Sequence, residues 1–252
     1  IEVIAGAGAG SGGGLALPGA AADNKFGSER RVEAYLSDGA QVEALQGIVE
    51  IHAIDDASLF SFTLSGAGSG NLAFALGLAR NTIEGTTSSF VDGATVGAPF
   101  VDLLGLSTPD IVAFNLVGSG AGGAAGAFAA TENRISSNVE AHIRNGAEVL
   151  GTNASGQTVG AIAVKAVDDA LIQALAISGS GAGGQAGVVS LSLNELSGKV
   201  RAGVEGLDVR VEAADVTISA GATDLDQIPS VAPTQGVPAV VVPTPQARIE
   251  TL

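Results

Sequence analysis

Apolar and polar residues alternate with a period of two through most of this chain, the signature of strands rather than helices. Leu72, Phe74, Leu76 and Leu78 fall on one side of a predicted strand, and only Ala and Gly fall on the other. Residues 189–193 and 59–64 alternate in the same way. A second strand position is predicted at 32–36 and 139–143, and a third at 41–44, 95–98 and 208–213. A fourth is predicted at 48–53, 111–114, 162–166 and 215–220. Gly, Asp and Asn punctuate these segments at a density that predicts an all-β protein.

The strand positions recur. Four times a Gly/Ala run leads into an apolar stretch and then an Asn: Asn24, Asn81, Asn133 and Asn194. Two residues later stands Phe26, Ile83, Ile135 or Leu196. Farther on come Asp38-Gly39-Ala40, Asp92-Gly93-Ala94, Asn145-Gly146-Ala147 and a degraded Glu205-Gly206-Leu207. The period is about 55 residues, which points to stacked repeats. The units are expected near 1–57, 58–112, 113–170 and 171–227. The fold expected is a parallel β-solenoid of four units, each of about two coils. The alternative is an antiparallel sandwich whose hairpins turn at the Gly clusters. Segments 99–109 and 151–160 read as loop insertions. From residue 228 five prolines fall in one short stretch, so 228–252 reads as an extended, polyproline-like arm or linker.

Composition narrows the chemistry. The 252 residues include 37 Gly and no Cys, Met or Trp, so disulfides, thiolate metal sites and cysteine nucleophiles are excluded together. The missing initial Met suggests a processed product or an excised stretch of a longer chain. A net charge of −15 with 11 scattered Lys and Arg argues against nucleic acid.

Gly118–Gly123 and Gly179–Gly184 fit G-x-G-x-x-G, and Glu140 follows the first by about twenty residues. A dinucleotide site needs a helix next, and a strand is predicted instead, so the glycines read as structural. Runs 57–79, 111–131 and 170–193 are uncharged and long enough to span a bilayer as helices, with small-x-x-x-small spacings. Their Gly/Ser-rich centres and alternating flanks favour a buried strand–turn–strand. Asp55-Asp56, Asp168-Asp169 and Asp224/Asp226 could ligate calcium, but no calcium-loop motif is present, and solvated turn residues are expected. His52 and His142 occupy non-equivalent repeat positions, which argues against a shared metal site. A Ser–His–Asp triad lacks its Gly-x-Ser-x-Gly elbow, and nothing singles out a carboxylate pair among 26 acids. The four Asn are expected at turns or in an internal ladder. Asn153-Ala154-Ser155 is a lone sequon in a predicted loop. No catalytic, cofactor-binding or metal-ligating residue is assigned, no cofactor is expected, and an enzyme is not expected.

The order Asp-Gly-Ala-x-Val-x-Ala, Ile-x-Val-x-Ala-x-Asp, Gly/Ala cluster and apolar strand ending in Asn-x-Ile resembles repeats of large bacterial surface proteins. The nearest are leukotoxin-like filamentous adhesins and, more distantly, filamentous haemagglutinins. The likeness covers residues 1–222. It implies extended β-helices at the cell surface or outside the cell, and carries no catalytic residues across. The expected function is a structural fibre or adhesin module that self-associates through open solenoid ends or the C-terminal arm. The alternatives are a membrane-inserting or pore-forming module and, behind it, a β-helix enzyme acting on polysaccharides. The expected partners are copies of the chain, as a homo-oligomer or filament, and a host or cell-surface ligand. Nucleic acid and membrane insertion are not expected.

Overall fold

The computed structural model describes residues 1–221 and 248–251. Strand accounts for 77% of them and no helix is present among them, which settles the class as all-β. The first unit runs through β1 (Glu2–Ser11), β2 (Leu15–Ala16), β3 (Gly19–Phe26), β4 (Arg31–Ser37), β5 (Gln41–Glu43) and β6 (Ile48–Asp55). The second has β7 (Ser58–Ser69), β8 (Leu72–Asp92), β9 (Thr95–Gly97) and β10 (Phe100–Ser107). The third repeats this as β11 (Asp110–Ala121), β12 (Ala124–Arg144), β13 (Glu148–Leu150) and β14 (Ala161–Asp168). The fourth follows with β15 (Leu171–Ala182), β16 (Gln185–Glu205), β17 (Arg210–Glu212) and β18 (Asp215–Gly221). A last strand, β19 (Arg248–Thr251), closes the described chain.

Like strands pair with like, always in parallel. Four sheets result: β1-β7-β11-β15-β19, then β8-β12-β16 with β2, β3 and β4, then β5-β9-β13-β17, then β6-β10-β14-β18. They are called here the first to fourth sheets. None closes into a barrel. Parallel pairing of every named strand sets the antiparallel alternative aside. Each unit contributes once, in chain order, to each of the four sheets, not twice.

The long second-sheet strand accounts for two predicted strand positions at once, and the Asn residues lie in its middle rather than at turns. In the first unit Phe26 pairs with Ile83 and Arg31 with Thr86, so four residues there oppose two. That insertion breaks the strand and turns Arg30 inward. At the far end of the long strand, the Asp/Asn-Gly-Ala motif makes the corner into the third sheet. Asp38 and Asn145 adopt φ of 58° and 55°, followed by Gly39 and Gly146 at 75° and 76°. Asp, Asn and Gly are the residues that tolerate this left-handed backbone. The Ala then points inward, and Ala94 and Ala147 are buried.

The core has two textures. Val91, Val96, Leu103, Val139, Ile143 and Val149 fill the space between the second, third and fourth sheets. Leu59, Ile83, Ile111, Ile135 and Ile172 continue it where the first sheet faces the second. Toward the Gly-rich turns the filling shrinks to Ala75, Ala127, Ala129 and Val117. The two walls come so close there that a β-carbon at Gly77 would strike Val117 Cγ2 at 2.6 Å. Here Ala73, Ala75 and Gly77 of β8 point inward, and Phe74, Leu76 and Leu78 are 50%, 41% and 41% exposed.

Two further expectations are corrected. Segment 99–109 is not a loop: Phe100–Ser107 is a full member of the fourth sheet, paired with β6 and β14. Residues 111–114, aligned above with 48–53, belong instead to the first sheet. Segment 151–160 is a loop, with a Thr152–Thr158 bridge. The Pro-rich segment expected over 228–252 lies outside the described residues, apart from Arg248–Thr251. That strand pairs in parallel with β15 of its own chain.

Candidate assembly surfaces

The interior carries a polar column that the strand register dictates. Asn24, Asn81, Asn133 and Asn194 stand in one row, because β3, β8, β12 and β16 align residue for residue. Asn24 Nδ2 donates to Asn81 Oδ1 at 2.8 Å, Asn81 Nδ2 to Asn133 Oδ1 at 2.8 Å, and Asn133 Nδ2 to Asn194 Oδ1 at 2.9 Å. Asn81 Nδ2 also donates to Ser61 Oγ across the core at 2.9 Å. Opposite, Asn115 Nδ2 donates to the carbonyls of Gly77 and Ala130, both at 2.9 Å, tying the first sheet to the second. Within the ladder, Asn24 Oδ1 at one end and Asn194 Nδ2 at the other have no partner.

Charge on the outer surface also runs along the stack. Lys25 pairs with Glu84, Arg80 with Glu132 and Arg134 with Glu195, at 3.5, 3.7 and 3.8 Å. On the fourth sheet, Asp102 lies between His52 at 3.2 Å and Lys165 at 3.3 Å. His142 lies in the second sheet, its Nδ1 3.3 Å from Glu205 Oε1. The two histidines therefore sit in separate sheets. Near His142 an open groove of about 660 Å³ crosses the second sheet. Tyr35 and Phe90 stack along it with centroids 4.9 Å apart, and Arg144 lies over Phe90 at 4.5 Å while binding Asp92. The Asn145 amide and Arg144 hold the Asp92 carboxyl below its ordinary range.

The acidic pairs differ from expectation. Asp55 and Asp168 end β6 and β14 with their side chains turned inward, 7% and 9% exposed. Only Asp56 and Asp169 face outward. Asp55 is neutralised by Arg30, which also lies over the Phe26 ring at 5.2 Å. Gly85 leaves the room for that guanidinium, since a β-carbon there would meet Arg30 Nη2 at 3.0 Å. Among the described residues no cation pairs with Asp168. Burial first, and then the neighbouring Asp169, push its carboxyl up to about 7. Asp224 and Asp226 lie outside the described residues. Among the described residues no group of three His, Asp or Glu is placed to hold a metal ion. Both G-x-G-x-x-G runs form the ends of β11 and β15 and the turn beyond, and β12 and β16 follow.

The stack has two unlike ends. Following the rows, Lys25 of the first unit occupies the position of Glu195 in the fourth, and Glu33 that of Arg201. Tyr35 corresponds to Gly203, and Arg31 to Lys199. The four Asn mark the repeat in the sequence, and the strand pairing supplies the residue-by-residue rows. No protein-family model matches the chain, and no curated protein or solved structure is significantly similar to it.

Proposed function

We propose that the chain is a β-solenoid building block of an extracellular or cell-surface fibre or adhesin, and that copies stack end to end. The observation that carries this reading is the match between the two ends of the stack. A second copy added to the fourth unit would bring Asn24 Oδ1 against Asn194 Nδ2, continuing the ladder. It would also set Lys25 beside Glu195 and Glu33 beside Arg201, against two like-charged meetings, Arg31 with Lys199 and Glu43 with Glu212. The flat ring of Tyr35 would meet Gly203, where no side chain obstructs it. Free strand edges template further pairing unless they are covered. At the fourth unit β16, β17 and β18 offer such edges, while β19 covers Leu171–Ala174 of β15 and must give way there to an incoming β1. The surface location rests on the resemblance of the repeats to filamentous adhesins. No ligand is needed for this role, because its mechanism is repetitive backbone hydrogen bonding and matched rows.

Negative-stain microscopy of the purified chain tests the proposal. Stacked particles or filaments are expected, and Asn194→Leu should shorten them while leaving the circular dichroism of the fold unchanged. Discrete monomers at every concentration would overturn it.

A further inference from the structure

The outward face of the first sheet holds a feature that the fold of a single chain leaves unexplained. Near the core it presents apolar side chains: Phe60, Phe62 and Leu64 in β7, and Val112, Phe114 and Leu116 in β11. Nearer the tip, the next two outward positions are glycine in every unit, as Gly66 and Gly68, Gly118 and Gly120, and Gly179 and Gly181 show. None of these six has a positive φ. A β-carbon at Gly66, Gly68, Gly118, Gly179 or Gly181 would meet nothing within 4 Å, and one at Gly120 only the Gly181 carbonyl at 3.9 Å. The glycines of the turns are different. A β-carbon at Gly70 would stand 2.6 Å from the Gly12 carbonyl oxygen, and one at Gly183 2.5 Å from that of Gly122. Turn glycines are thus required by the stack, and the outward strand glycines are not. Glycine weakens a strand interior and marks places where another backbone approaches closely.

We propose that this face is a docking surface for the same face of a second copy. It presents an apolar ridge and a glycine floor side by side, so it is complementary to itself. A two-fold axis lying in the interface, across the strands between Leu64 and Gly66, sets Leu64 over the partner's Gly66 and Phe62 over the partner's Gly68. The same axis sets Leu116 over the partner's Gly118 and Phe114 over the partner's Gly120. This is the isologous arrangement of closed dimers. Four strands about 4.8 Å apart, over nine residues of about 3.3 Å, give about 600 Å² per partner. That totals about 1,200 Å², the lower bound of a stable interface. No charge lies in β7 or β11 after Asp110, so a charged partner finds nothing to pair with. A bilayer suits the face less well. Lipid would leave the backbone groups of the edge strand β1 unpaired, and fluid acyl chains need no glycine floor. Lateral pairing of this kind does not depend on end-to-end stacking.

The test is the double substitution Gly66→Val with Gly118→Val, at two outward positions where an added β-carbon meets nothing within 4 Å. Compared at concentrations where both are monomers, its melting temperature should equal or exceed that of the parent chain. Sedimentation velocity should show the lateral dimer weakened at least tenfold, and microscopy should show particles half as wide but no shorter. Phe114→Ser should also weaken the dimer. Unchanged association in a folded Gly66→Val, Gly118→Val variant would overturn the proposal. So would equal flotation of parent and variant with phosphatidylcholine vesicles as monomers.

Discussion

Asn81 accepts a hydrogen bond from Asn24 and donates one to Asn133, so a single buried amide is held from both sides along the stack. Each amide in the column is satisfied only because its neighbours share its row. Removing a middle member orphans one group on each neighbour in the column, and an unsatisfied buried polar group costs about 1–3 kcal/mol. Asn133→Ala should lower unfolding stability by about 2–3 kcal/mol. Asn194→Ala, at the end of the column, should cost about 1 kcal/mol or less. Urea denaturation of the two variants checks the ordering, and equal losses would show that the ladder is not the source.

Asp168 makes stability fall as pH rises. Its folded carboxyl titrates near 7 and its unfolded one near 4. The folded state therefore binds the proton more tightly, so its contribution is complete below about pH 4. It is lost between about pH 4 and 7, and above that a buried charge remains. Asp168→Asn should remove this slope and stabilise the chain at pH 8 by about 2–4 kcal/mol. Denaturation at a series of pH values would reveal an unchanged slope if another group were responsible.

Arg30 is expected to matter through Asp55. The pair is inward-facing, with the carboxylate 8% and the guanidinium 22% exposed. Arg30→Met would leave Asp55 charged and unpaired, at a cost of about 3 kcal/mol. Arg30→Met combined with Asp55→Leu should recover most of that loss. A double-mutant cycle by thermal unfolding measures the coupling, and additive losses would contradict it.

Glycines of two kinds should respond in opposite ways to alanine. Gly183→Ala forces a methyl against the Gly122 carbonyl and should cost about 1–3 kcal/mol. Gly181→Ala meets open space and should be neutral or stabilising by about 0.5–1 kcal/mol. Thermal melts of both variants are sufficient to tell them apart.

The repeat, the all-β class and the corner at Asp38-Gly39-Ala40 were legible in the sequence, because turn chemistry and alternation are local properties. The facing of the strands was not. In β8 alternation separates Phe74 and Leu76 from Ala75 and Gly77 but is silent on which set faces in. The close approach of Val117 from the opposite wall decides that, and it is a long-range fact. β10 was hidden for a related reason. Pro99 and Pro109 bracket Phe100–Ser107, and prolines read as loop signals. Both lie just outside the strand, where the Pro99 carbonyl accepts from Ala161 at 2.9 Å. The inward turn of Asp55 was equally unreadable, since Arg30 reaches it only through the first unit's irregular insertion. Of the assembly surfaces, the four Asn were visible as markers, but their alignment into one column required the strand register.

The amides of the Asn column all donate in the same sense, from the first unit toward the fourth. A polymer assembled on that pattern would have a head and a tail. Its two tips would capture incoming subunits at different rates, and a subunit altered only at Asn24 would block growth at one tip while leaving the other free to extend.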